Sequence, residues 1–362
     1  MKSGIRHSKA VPVVIIAGFL GSGKTTLLNH LLRSAQGTRI GVLVNDFGSI
    51  NVDAMLVAGQ VDGTVQLGNG CLCCTVDSDG LVSALEKLVR PAAGIDVVVI
   101  EASGIAEPRA LVRMITTVSD DRIAYGGLVY VVDAATCAAT RADHPELDRH
   151  AAIADLVVVN KVDLAGPADA GRVDEWVREI NSGAAVVATS EARVDPALLF
   201  DVTARQPDVG PRQLALDELL AEYGPGEHGA GEPHGHRHLH DDYTSVDFCV
   251  VDAMDPRRLA RFLERPPQGC YRIKGVVHLG GVAAHRYVIH GVGGFVRVER
   301  GPWGRGESRS STVVVIGTGL DADEVRSALL GAVWNPDAVD PNGILHITRY
   351  LPDAGASSIT SP

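Results

Sequence analysis

Gly18-Phe19-Leu20-Gly21-Ser22-Gly23-Lys24-Thr25 decides the reading of the chain. It follows an apolar run, Val13-Val14-Ile15-Ile16, and precedes a stretch in which Leu27, Leu28, Leu31 and Leu32 share one helical face. The spacing is that of a phosphate-binding loop, in the strand–loop–helix setting that the motif requires. Glycines let the backbone wrap phosphates with its N–H groups turned inward. Lys24 is expected to reach the outer phosphates and so act in catalysis, and the Thr25 hydroxyl to ligate magnesium. Gly18, Gly21, Ser22, Gly23 and Thr26 complete the expected nucleotide contacts.

Outward from this loop, apolar runs alternate with helical patterns. Residues 40–44, 97–100, 128–132 and 156–159 read as strands, and 81–89 as a helix. Continuous β-branched runs indicate strands buried on both faces, hence a mostly parallel sheet covered by helices. The fold class is therefore α/β: a P-loop NTPase domain over 12–204 after a flexible start at 1–11. Residues 205–243 are rich in Pro and Gly and read as a linker with a short helix at 214–222. Order returns with strands at 245–251, 270–279, 285–291 and 311–316. Asp255-Pro256 opens one helix and Asp321 caps another, which gives a smaller α+β domain over 244–335. Residues 336–362 read as a loose tail.

The bulk composition agrees. The 362 residues suggest two domains, and 46% apolar with 21% charged residues is ordinary for a globular chain. A net charge of -11 argues against a general or sequence-specific nucleic-acid binder, which would show a basic footprint. No segment reads as membrane-spanning, and the apolar stretch 11–20 runs into a phosphate loop, so the expected location is the cytoplasm.

Two further segments belong to nucleotide chemistry. Asn160-Lys161-Val162-Asp163 follows an apolar strand. A carboxylate at Asp163 can accept from both N1–H and N2–H₂ of guanine, a donor pair that adenine lacks, while Asn160 fixes the loop. Glu101-Ala102-Ser103-Gly104 ends another strand. Glu101 is placed to meet the magnesium shell, and Gly104 to donate its N–H to the γ-phosphate.

Cysteine and histidine usage points to a metal. Three of the six cysteines, Cys71, Cys73 and Cys74, lie within four residues among glycines. Thiolates suit zinc and related transition metals, and three of them leave a tetrahedral position open for transfer. A redox pair at Cys73 and Cys74 and simple packing are the rival readings. Cys137, Cys249 and Cys270 read as buried small hydrophobes. His228, His234, His236, His238 and His240 concentrate in the linker, a tract suited to secondary metal capture or to plain solvation.

Taken together these residues resemble the CobW-like P-loop GTPases over about residues 12 to 335. The resemblance rests on GFLGSGKTTLL, on Asn45-Asp46-Phe47-Gly48 with Asn51-Val52-Asp53, on GNGCLCC, on EASGIAEP from Glu101 to Pro108, and on NKVD. In the second domain, Arg272-Ile273-Lys274-Gly275, Trp303 and Ile316-Gly317 look like the family's C-terminal domain. It implies a protein that binds zinc or another divalent metal and couples GTP hydrolysis to its insertion into a client. Residues 45–53 would be the first switch and 101–108 the second, with the cysteine loop between them. Ser49 and Val44 stand where many members carry acids, which removes two possible ligands, so the resemblance implies a cysteine site that binds more weakly or recruits Asp46. No glutamine stands where Ras-like enzymes use one, so Asp46 and Glu107 are the candidates for orienting water, with slow turnover expected until a partner completes the site. The competing function is a metal-responsive regulatory switch that recruits a protein partner; a storage protein would have little use for the GTPase apparatus.

Overall fold

The computed structural model describes residues 10–35, 37–44, 57–58, 78–104, 106–202, 243–281, 284–304, 307, 309–335, 340 and 342–351. Asp46 and the rest of the expected first switch, Cys71, Cys73, Cys74, the 214–222 helix, and His234, His236, His238 and His240 lie outside them.

The first half builds β1 (Val11–Gly18), α1 (Lys24–Ser34), β2 (Ile40–Val44), β3 (Val57–Ala58), α2 (Ser78–Leu88) and β4 (Val97–Glu101). It continues with α3 (Pro108–Thr117), β5 (Ile123–Asp133), α4 (Cys137–Asp143), α5 (Glu146–Ala151), β6 (Leu156–Asn160), α6 (Pro167–Ile180), β7 (Ala185–Ala188) and α7 (Pro196–Leu199). The sheet order is β3-β2-β4-β1-β5-β6-β7. All neighbours pair in parallel except the short edge strand β3. This is the expected α/β fold, and it puts the carboxyl ends of β1, β4, β5 and β6 side by side, the usual ligand edge of such a sheet.

β1 and β4 are apolar on both faces because both faces are covered. On one face Val13, Ile15, Val98 and Ile100 pack under α2, α3 and α6, whose core residues include Leu85, Leu111, Ile115, Trp176 and Val177. On the other face Val14, Ile16, Val97 and Val99 pack under Leu27, Leu28 and Leu31 of α1 and Leu198 and Leu199 of α7. Two helices do not cover that face. Tyr271 and Val292 of the second domain join the same cluster and complete it.

The second domain comprises β8 (Thr244–Val250), α8 (Pro256–Glu264), β9 (Cys270–His278), β10 (His285–Val292), β11 (Phe295–Pro302), β12 (Ser311–Gly317), α9 (Ala322–Leu330) and α10 (Leu345–Thr348). Its sheet is antiparallel, in the order β11-β10-β9-β12-β8. Asp255 and Asp321 cap α8 and α9 as expected, each carboxylate accepting backbone N–H groups of the first turn. Leu259, Leu263, Val325, Leu329 and Ile347 fix the helices to one face of the sheet.

Two expectations need correction. The loose tail at 336–362 is not loose throughout, because residues 342–351 turn into α10. Ile347 is fully buried, Val298 donates its N–H to the Tyr350 carbonyl at 3.0 Å, and the Tyr350 hydroxyl donates to Glu264 at 2.7 Å. Cys249 is not buried: it lies exposed on β8, whereas Cys137 and Cys270 are buried as expected. Burial pushes the thiol pKa of Cys137 up to about 11 and that of Cys270 up to about 12, so neither is a ready nucleophile.

The domains share polar contacts as well as core. Arg272 donates to Asp201 at 2.7 Å and Lys274 donates to the same carboxylate. Val186 N–H on the edge strand β7 donates to the Thr318 hydroxyl at 2.9 Å, and Arg297 donates to the carbonyls of Ile123 and Asp121. Beside these, Asp155 accepts from the Tyr125 hydroxyl and from Leu128 N–H, and the turn at Gly293 packs so closely on it that an added Cβ would meet its carboxylate at 1.7 Å. Burial raises the Asp155 pKa to about 6, an effect that the bond from Tyr125 reduces but does not cancel.

Candidate functional site

The phosphate loop takes its shape from its glycines. Gly18, Gly21 and Gly23 have φ of 148°, 76° and 108°, in the region that L side chains avoid. At Gly18 an added Cβ would lie 2.3 Å from the Val131 carbonyl, and at Gly23 it would lie 2.3 Å from Asn160 Nδ2. Glycine at both positions is therefore a matter of space as well as of conformation. Lys24, 7% exposed, starts α1 and donates from Nζ to the Phe19 carbonyl at 3.1 Å. The Ser22 hydroxyl is buried and has no hydrogen-bond partner. A buried polar atom of that kind usually marks a site for water or ligand. Here it sits in a concave loop that also carries a cation and the start of a helix, a setting made for phosphate.

Thr25 and Glu101, the two residues expected at a magnesium ion, lie side by side. The Thr25 hydroxyl donates to Glu101 Oε1 at 2.6 Å, joining the start of α1 to the end of β4. The two oxygens are a hard donor pair beside the phosphate loop, which fits a magnesium ion. Gly104 follows on the same loop, packed so tightly on Leu20 that an added Cβ would lie 2.9 Å from its backbone N.

Asn160, 2% exposed, ties three loops together. Its Nδ2 donates to the Ser22 carbonyl at 2.9 Å, and its Oδ1 accepts from Ala192 N–H at 2.8 Å. These two bonds to backbone join the Asn160 loop to the phosphate loop and to the loop at Ala192. Lys161 takes a left-handed φ of 61° and donates at 2.7 Å both to the Gly21 carbonyl and to Asp133. Asp163 is exposed on the following turn, and Thr26 is exposed on α1.

Glu107 is engaged elsewhere. Its carboxylate caps α3 by accepting from Arg109 N–H at 3.3 Å, and its second oxygen faces His150 Nε2 at 3.3 Å. His150 is buried on α5 and stacks edge-on against Tyr130. This arrangement holds the expected second switch to the body of the domain at its carboxyl-terminal end.

Three participants were missed in the sequence. Asp133 ends β5, where an acid at the close of a buried strand was the available signal. Thr189 to Ala192 form the loop after β7, with Glu191 and Ala192 at left-handed φ of 55° and 53°. Nothing in their composition advertises that geometry. His150 lies on a short, mostly charged helix, Glu146–Ala151, and carried no signal. Among the described residues no group of three or more His, Cys, Asp or Glu is placed to hold a metal. Nor is any described helix long and apolar enough to cross a membrane.

Comparison with known proteins supplies the context for this site. Residues 12–188 match the family described as "CobW/HypB/UreG, nucleotide-binding domain", and residues 243–333 match "Cobalamin synthesis protein cobW C-terminal domain". The chain is 30% identical to "Zinc chaperone CobW" of Sinorhizobium sp, over 89% of this chain and 97% of that protein. It is 32% identical to "Zinc chaperone CobW" of Pseudomonas aeruginosa, over 88% of this chain and 92% of that protein. The crystal structure of the Zn(II)-bound YjiA GTPase from E. coli is similar at 26% identity and a TM-score of 0.41, covering 90% of this chain and 100% of that one.

Proposed function

The chain belongs to the CobW family of P-loop GTPases, and on that premise we propose that it hydrolyses GTP and uses its nucleotide state to hold and deliver a transition metal, zinc in the first instance. The observation that carries the reading is the single seam in which the phosphate loop, Glu101, Asn160 and the loop at Ala192 are bonded together. Relatives of similar length named zinc chaperones support the cargo.

In this reading the N–H groups of residues 21–25 and the Lys24 ammonium bind the β- and γ-phosphates. Ser22 donates its otherwise unpartnered hydroxyl to them. Thr25 and Glu101 hold magnesium, which when bound neutralises phosphate charge. Asp163 selects guanine, and Asn160 and Lys161 keep the base loop in register with the phosphate loop. Gly104 senses the γ-phosphate. Asp46 orients the attacking water, with Glu107 joining it when the bond to His150 opens. Turnover is slow until a client completes the site. Cys71, Cys73 and Cys74 hold the metal, and His234, His236, His238 and His240 capture it more weakly from the cytoplasm.

A second reading has one observation in its favour: Val44 and Ser49 stand where the family resemblance would place two acids. A site with fewer ligands suits a metal-responsive switch that recruits a protein partner. The test is phosphate release from GTP with and without zinc, in the wild type and in the Cys71→Ser, Cys73→Ser, Cys74→Ser variant. Metal-dependent turnover that the triple variant loses supports the proposal. Turnover indifferent to zinc in both proteins rejects it.

A further inference from the structure

The second domain contains a polar site that nucleotide and metal chemistry do not use. His278 ends β9, Arg286 is its cross-strand partner on β10, and Trp303 follows β11 directly. His278 and Trp303 meet edge to face, with ring centroids 6.0 Å apart. Three atoms in this small region, His278 Nδ1, Arg286 Nε and Trp303 Nε1, are buried and have no hydrogen-bond partner. Buried polar atoms are nearly always paired with protein, water or ligand, so three together call for an occupant.

The surroundings are built. The His278 backbone is held on both sides, its N–H donating to the Ser311 hydroxyl at 3.0 Å and its carbonyl accepting from Met254 N–H at 2.7 Å. Arg286 is fixed at its far end, where Nη1 donates to Glu307 at 3.1 Å and Glu307 in turn accepts from Gly304 N–H. Opposite Arg286 stands Gly301, where an added Cβ would lie 3.9 Å from Arg286 Nε, so glycine leaves the space beside that nitrogen free of a side chain. Burial lowers the His278 pKa, and the charge of Arg309 lowers it further, which favours the neutral imidazole.

The chemistry of the three atoms selects the ligand. Arginine Nε and the indole nitrogen can only donate, so the occupant must accept. Among the described residues at this site, Glu307 balances one of the two guanidinium charges, Arg286 and Arg309, and leaves an excess of one positive charge. A planar group with two acceptor oxygens and one negative charge fits two donors and that excess. We propose that His278, Arg286 and Trp303 form a carboxylate-binding site on the second domain, taking either a small free acid or an acidic side chain of a protein partner. It stands independently of the GTPase and metal readings.

Trp303 carries its own reporter. In the ¹⁵N-labelled full chain, the indole N–H resonance that disappears in Trp303→Phe is followed during titration with succinate, with a short glutamate-rich peptide, with inorganic phosphate, and with chloride at matched ionic strength. The expected result is a saturable shift of that resonance with a carboxylate, while the indole signals of Trp176 and Trp334 stay in place. Tighter binding of the peptide than of succinate assigns the site to a protein partner, and the reverse order assigns it to a free acid; both support the proposal. Arg286→Gln is expected to weaken the carboxylate by about tenfold or more, as loss of a charge-assisted bond implies. Trp303→Phe keeps the ring and removes only the donor. Followed at the backbone amides of His278 and Arg286, it should weaken binding by a similar factor. No saturable shift with any carboxylate, a response no different from that to chloride, or tighter binding of phosphate than of every carboxylate would overturn the assignment and leave the atoms to buried water.

Discussion

Removal of the Asn160 side chain probes the seam that joins nucleotide loop to base loop. In Asn160→Ala the Ser22 carbonyl loses its donor and the Ala192 N–H loses its acceptor. Ser22 is 1% exposed and Ala192 0%, so water cannot readily take over either bond. An unsatisfied buried backbone group costs about 1–3 kcal/mol, so the pair should cost about 2–6 kcal/mol of stability. The same loss frees the phosphate loop from the loop after β7. Binding must then order both, and GDP affinity should fall by about 10- to 100-fold, at about 1.4 kcal/mol per decade. Asn160→Asp separates the two bonds. It keeps an acceptor for Ala192 N–H but turns a carboxylate toward the Ser22 carbonyl. Its stability should fall between those of wild type and Asn160→Ala, with nucleotide affinity as poor as in Asn160→Ala. Urea unfolding gives the first quantity and fluorescent-GDP titration the second. An Asn160→Ala protein within about 0.5 kcal/mol of wild type in stability, the range of an ordinary surface substitution, and with unchanged GDP affinity would refute the reasoning.

Other perturbations test other parts of the account. Asp155 has a folded-state pKa of about 6, above its unfolded value near 3.9, so the native state holds the extra proton between these pH values. Its contribution therefore favours folding at low pH and is lost as pH rises through about 6, by at most about 2–3 kcal/mol. Asp155→Asn should flatten that slope, measured as urea-unfolding free energy at a series of pH values from 4 to 8. Asp163→Asn should trade guanine for xanthine preference in nucleotide competition, because an amide cannot accept from two ring-edge donors at once. Asp201→Ala strands the Arg272 guanidinium, 12% exposed, at the domain interface, and should cost about 1–3 kcal/mol in thermal or urea unfolding. His150→Ala removes the partner of Glu107 and should speed proteolysis near 101–108, whereas His150→Gln should restore the protection.

The parts of the fold that were legible are those where local chemistry and burial agree. β1, β4 and β6 are buried on both faces and read as Val and Ile runs, and the phosphate loop is set by glycines whose need can be stated in advance. β7 is only Ala185-Val186-Val187-Ala188, too short and too small to register, and its strand character comes from pairing with β6. β11 carries Arg297, Glu299 and Arg300 because it is an edge strand, and charge there hides the alternation. α10 has one short turn of sequence and is ordered by what it packs on. The site divides in the same way. Lys24, Thr25, Glu101 and Asn160 occupy motif positions, so spacing finds them. Asp133, His150 and Ala192 reach the site from other elements, and only the folded chain brings them together. Tyr271 could not be assigned to the first domain's core from sequence, because its neighbours in the chain belong to the second sheet.

The central claim is that nucleotide state and metal binding are coupled, and linkage makes that coupling reciprocal. The most direct measurement is zinc affinity by chelator competition in three states: nucleotide-free, with GDP, and with a non-hydrolysable GTP analogue and magnesium. The Cys71→Ser, Cys73→Ser, Cys74→Ser variant serves as control. The account predicts affinities that differ by about tenfold or more between the GDP and GTP-analogue states, a difference absent from the variant. Equal zinc affinity in all three states would contradict it, since hydrolysis would then have no free energy with which to move the metal.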